Sequence, residues 1–111
     1  MWCLETFGPS DPRTRALRTL SEVVELCMSV GCDGQDVIER CARAIDRELD
    51  RDELGDPALE LGDVVICAAA TARTLGIDLQ ADGVDPAMKR NRRRTWHRRP
   101  DGTECHTEDA A

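Results

Sequence analysis

The sequence predicts an all-α chain: a small bundle of about four helices, completed by oligomerisation. Three observations carry this. Apolar residues recur at helical spacing in separate runs. Asp-Pro pairs, at Asp11-Pro12, Asp56-Pro57 and Asp85-Pro86, open three of those runs with the cap-plus-proline signature of a helix start. No segment alternates apolar and polar residues as a half-buried strand does.

The elements follow in order. Residues 1–10 read as extended, with Gly8-Pro9-Ser10 as punctuation. Asp11 caps a first helix, Pro12 takes its first position, and Leu17, Leu20, Val24 and Cys27 form one face. This helix is expected to end near Val30-Gly31, and Cys32-Asp33-Gly34 reads as a turn. A second helix is predicted over 35–50. Its inner face is Val37, Ile38, Cys41, Ile45 and Leu49, and Asp36, Glu39, Arg40, Arg43, Asp46, Arg47 and Glu48 face water. After a polar loop, a third helix runs from 57 to 75 and stops at Gly76. It is nearly apolar all round, the mark of a central helix. Residues 78–83 read as a loop, and Asp85-Pro86 opens a fourth helix to about Arg94. Residues 97–111 are polar and expected to be loosely ordered. One domain is expected over 1–111, with a basic segment at 89–99 and a polar tail at 100–111; no repeat or linker divides it.

Composition narrows the class. Hydrophobic residues at 41% and charged residues at 33% fit a folded protein rather than a disordered one. Aromatics are only 3%, namely Trp2, Phe7 and Trp96, so the core must be aliphatic. A 111-residue chain with so few large side chains buries little alone, which points to oligomerisation. No run of about 18–20 apolar residues predicts a membrane span. No basic-then-apolar leader opens the sequence. Cys3, Cys27, Cys32, Cys41, Cys67 and Cys105 therefore read as reduced thiols of a cytoplasmic protein. A zinc site using Cys27, Cys32 or Cys105 with His106 is disfavoured, because no Cys-x-x-Cys pair is present.

Charge is unevenly placed. Residues 89–99 hold seven of the fifteen Lys and Arg and no acid; the remainder carries a balance of -14 within a net charge of -7. Such a run reads either as a solvated or nucleic-acid-binding arm, or as a clamp on a phosphate-bearing ligand. The acids carry the sharper signal. Glu60 and Asp63 lie three apart in the apolar third helix, and Glu22 and Glu25 repeat that spacing in the first. Residues i and i+3 share a helix face, so each helix can aim two carboxylates one way. Four converging carboxylates form a hard-oxygen site for Mg²⁺, with Mn²⁺ as the alternative. Glu-x-x-Glu on an amphipathic helix is more often simply solvated. Glu60 and Asp63 have a second reading as salt-bridged or interface residues, with Arg15, Arg18 or Arg73 as partners.

In order and spacing these residues resemble the MazG-like, all-α nucleoside triphosphate pyrophosphohydrolases, in which Glu-Glu-x-x-Glu is followed by Glu-x-x-Asp. Here the motif reads Ser21-Glu22-x-x-Glu25 and Glu60-x-x-Asp63. Phe7-Gly8-Pro9, Asn91-x-x-Arg94-x-Trp96 and Pro100-Asp101-Gly102-Thr103 extend the resemblance over about residues 2–106. Ser21 stands where the family has its first Glu, and the spacer between Glu25 and Glu60 is a long 34 residues. The resemblance implies Mg²⁺-dependent hydrolysis of an NTP or dNTP to NMP and pyrophosphate, in a helical dimer or tetramer with active sites near subunit contacts. It implies Glu22, Glu25, Glu60 and Asp63 as catalytic metal ligands, and Lys89, Asn91 and Arg94 as phosphate or sugar contacts. Trp96 either stacks on a base or anchors the basic segment. Two alternatives stand beside the enzyme. One is an inactive nucleotide-binding or interaction module on the same fold, motivated by Ser21. The other is a nucleic-acid-binding protein using residues 89–99, although the acidic body disfavours a polyanionic partner.

Overall fold

Three aspartates begin the long helices in the computed structural model, which describes residues 11–100 and 104–106. Asp11 accepts from the Thr14 N–H at 3.3 Å and starts α1, Pro12–Ser29. Asp33 accepts from the Gln35 N–H at 2.7 Å and starts α2, Gly34–Leu49. Asp56 accepts from the Ala58 N–H at 2.9 Å and starts α3, Pro57–Leu75. Each carboxylate thereby satisfies one of the N–H groups a helix start leaves open. The ends are as specific. At Gly76 the backbone turns left-handed, with φ of 70°, and the Ile77 and Gly76 N–H groups bond back to the Ala72 and Arg73 carbonyls at 2.9 and 3.1 Å. Gly31, with φ of 90°, closes α1 the same way: the Cys32 N–H reaches the Cys27 carbonyl at 3.0 Å.

The fourth helix opens at Asp85 as expected, but the segment before it differs. A π-helical segment, Leu79–Val84, runs directly into α4, Asp85–Arg93. The loop expected at 78–83 is thus helical, and Asp85 is not a cap. The cap is Asp78, whose side chain accepts from the Ala81 N–H at 2.8 Å, while Asp82 accepts from the Asp78 N–H at 2.9 Å. Asp85 is used differently, accepting from the Gln80 side-chain amide at 2.6 Å.

The chain is mostly helical, as expected, with a further correction. Within the stretch expected to be loosely ordered, β1 (Trp96–Arg98) and β2 (Glu104–His106) pair antiparallel, setting Trp96 opposite His106 and His97 opposite Cys105. Three residues per strand are too few to show a period of two, so periodicity could not reveal them. The extended stretch expected for 1–10, with Trp2, Cys3 and Phe7, lies outside the described residues, as do Asp101-Gly102-Thr103 and residues 107–111.

The described backbone gathers into two units, residues 11–50 with 95–100 and 104–106, and residues 51–94. In the first, Val24 and Cys27 of α1 and Val37, Cys41 and Ala44 of α2 are half-buried. A groove of about 450 Å³ lies between these helices, lined by Leu20, Val24, Cys27, Val37 and Cys41 among others. The rest of the α2 apolar face is open: Ile38 is 63% exposed and Leu49 is 77% exposed. The polar face expected to meet water does so. In the second unit, Ala72 of α3 is 7% exposed and is the only buried residue among those described. Leu59 and Ile66 on the same helix are 69% and 66% exposed. The apolar helix read as central is therefore uncovered in the single chain.

Candidate metal centre

Glu22 and Glu25 lie on α1, one turn apart and exposed. Glu22 is already engaged. Its Oε1 is 2.7 Å from Nη2 of Arg18, four residues earlier. Of the three arginines considered as partners for the acids, Arg18 thus takes one, though from α1 rather than α3. Ser21 turns its hydroxyl back on its own helix, donating to the Leu17 carbonyl at 3.2 Å. Glu25 points to solvent as an exposed residue.

Glu60 and Asp63 lie near the start of α3, both exposed. The Glu60 side chain folds back over Gly55: a Cβ built on that glycine would sit 2.6 Å from Oε1. A side chain at position 55 would displace the carboxylate. The placement suits an acid, because the N-terminal turn of a helix favours negative charge by about 0.3–1 kcal/mol. Between the two acids stands Gly62, where an added Cβ would meet nothing within 4 Å. The Glu60–Asp63 edge is therefore open to approach.

Each helix presents its own carboxylate pair, and the two pairs belong to different units. Among the described residues, no three His, Cys, Asp or Glu side chains form a group that could hold a metal ion. Each pair offers only carboxylate oxygens, a donor chemistry that fits Mg²⁺ or Mn²⁺ and not a thiolate-seeking metal.

The basic segment divides between α4 and β1. Lys89 is exposed on α4 and borders a shallow depression with Asp85, Met88, Arg92 and Arg93. Arg94 Nη1 donates to Asn91 Oδ1 at 3.2 Å, so these two hold each other at the end of α4. Trp96 is half-buried on β1 and meets the ring of His106 edge-on, with centroids 5.0 Å apart and planes at 67°. That geometry is an attractive aromatic pair and ties the two strands. It favours the anchoring role for Trp96.

One contact falls on residues to which the sequence assigned no role. Cys105 Sγ lies 2.8 Å from His97 Nε2 across the ribbon. The signal that could have found it is Pro100-Asp101-Gly102, a turn signature between the two residues.

Compared with known proteins, the chain matches no family model, no curated protein and no solved structure. Among the described residues no single helix is long and apolar enough to cross a membrane.

Proposed function

We propose that the chain is a Mg²⁺-dependent nucleotide pyrophosphohydrolase that cleaves an NTP or dNTP to NMP and pyrophosphate. The observation that carries this reading is the exposed Glu60-x-x-Asp63 edge at the capped start of an apolar helix. Burying that apolar helix against another copy would desolvate both carboxylates, and a bound cation is what would then compensate them. The resemblance to MazG-like enzymes, with Glu22-x-x-Glu25 earlier in the chain, supports the choice of ligand.

Glu22, Glu25, Glu60 and Asp63 are the residues that would hold the ion. Bound there, Mg²⁺ would polarise a phosphoryl oxygen and lower the pKa of a bound water. The chain's own residues do the rest. Lys89, as an exposed cation, neutralises phosphate charge. Arg94, held by Asn91, presents a guanidinium whose direction is set by the 3.2 Å bond between them. Fixing it beforehand reduces the entropy lost when a phosphate is bound. A homo-oligomer in the cytoplasm, with the uncovered helix faces buried between copies, completes the reading.

The test is a panel of NTPs and dNTPs incubated with Mg²⁺, with products separated. NMP and pyrophosphate are expected; NDP and phosphate would contradict the reaction. The paired substitution Asn91→Ala with Arg94→Ala should lower turnover. A labelled-DNA titration at two salt concentrations decides the second reading, which the ribbon's Arg98 and neighbouring Arg99 motivate. Tight, steeply salt-dependent DNA binding with turnover unaffected would favour a nucleic-acid arm.

A further inference from the structure

The sequence holds two histidines, and their places in the ribbon differ. His106 packs its ring against Trp96. His97, directly opposite Cys105 in the register, brings Nε2 to 2.8 Å from the thiol sulfur. The His97 carbonyl oxygen, 3.7 Å from the same sulfur, is a second acceptor for the thiol proton. A nucleophile and a base within hydrogen-bond reach are the two parts of an activated cysteine. In the neutral ring Nε2 accepts the thiol proton when Nδ1 carries the ring proton. Cys105 is half-buried and His97 is exposed, so small reagents can reach the pair. Cys32 and Cys67 are more exposed than Cys105, yet among the described residues no histidine ring faces either one.

We propose that Cys105 is a modification site for small electrophiles, hydroperoxides above all, with His97 as its base. This is independent of the nucleotide chemistry, since neither residue belongs to the proposed metal or phosphate contacts. In the step, the Cys105 thiol gives its proton to His97 Nε2 and the sulfur attacks the terminal oxygen of the hydroperoxide. The S–O bond forms as the O–O bond breaks. The leaving alkoxide, or hydroxide from hydrogen peroxide, takes the proton from the imidazolium. Sulfur is oxidised to sulfenic acid and the peroxide is reduced to alcohol or water.

The experiment reads each cysteine separately. The folded chain is treated with limiting iodoacetamide, and labelling rates are taken from peptide masses. Cys105 should label about tenfold faster than Cys32 and Cys67, a modest return for a positioned base. His97→Gln should bring Cys105 down to the rate of the other two and leave theirs unchanged. Equal rates in the unaltered protein, or a Cys105 rate unmoved by His97→Gln, would overturn the proposal. A second measurement needs no variant: one equivalent of hydrogen peroxide, with dimedone present to trap sulfenic acid. The adduct is expected on Cys105. An adduct on Cys32 or Cys67 in preference to Cys105, or on none of the three, would refute it.

Discussion

In the proposed metal site, a divalent cation would compete with Arg18 for the Glu22 carboxylate. The 2.7 Å pair between Arg18 and Glu22 is partly exposed, and such pairs contribute only about 0.2–1 kcal/mol. A cation that recruits Glu22 must break it. Arg18→Ala is therefore expected to tighten Mg²⁺ binding about two- to fivefold, the equivalent of that small energy. A Mg²⁺ titration followed by melting temperature checks it; an unchanged midpoint would leave Glu22 outside the site. The companion test lies at the other pair. At a Mg²⁺ concentration of about a hundred times Kd, binding stabilises a protein by about 2.7 kcal/mol. Asp63→Asn and Glu60→Gln should each abolish that gain. If both variants respond to Mg²⁺ as the unaltered chain does, the four-carboxylate site is wrong.

At the scale of the element, two glycines of the second unit make opposite predictions. Gly76 sits at φ of 70°, and an added Cβ there would meet no neighbour, so Gly76→Ala costs backbone strain alone, about 1–2 kcal/mol. Gly62 lies inside α3 with open space around it, so Gly62→Ala should stabilise the helix by about 0.5–1 kcal/mol. Urea unfolding without metal measures both; a loss at Gly62 would mean that its surface is covered in the assembled protein. These positions also show what a sequence can disclose. The span of α3 was legible because Asp56-Pro57 and Gly76 are local signals, settled by the backbone's own hydrogen bonds. The helical turns ahead of α4 were not: Asp85-Pro86 marks where α4 itself begins, while Asp78 and Asp82 bond reciprocally upstream and start a π-helical segment at Leu79. The ribbon was hidden for another reason: its pairing joins residues six to ten apart through strands too short to be periodic. The carboxylate pairs were legible as spacing, whereas the Arg18 contact to Glu22 depended on which of several arginines a side chain would reach.

For the molecule as a whole, the decisive quantity is the apolar surface that one chain leaves in water. Val65 and Ile66 of α3 are 58% and 66% exposed, and Ile38 and Ile45 of α2 are 63% and 58% exposed. Fully burying one such side chain contributes about 1.5–3 kcal/mol, so a handful of them equals the whole stability of a small domain. A chain of 111 residues with 3% aromatics has no large side chains to offset that loss internally. Association of copies along these faces is the remedy available to a single sequence, and a two-fold arrangement is the simplest closed one. Light scattering at micromolar concentration is therefore expected to give a mass at least twice 12.3 kDa, and the melting temperature should rise with concentration. Ile66→Asp should dissociate the assembly, because an unpaired carboxylate buried in an apolar contact costs several kcal/mol. Its scattering mass should fall toward one chain, and its melting should lose the concentration dependence. The resemblance that motivates the nucleotide reading puts active sites near subunit contacts, so the same variant should lose hydrolysis although residue 66 is not a proposed ligand. A particle of 12.3 kDa in the unaltered protein, or an Ile66→Asp variant of undiminished mass, would show that α3 is not where the copies meet.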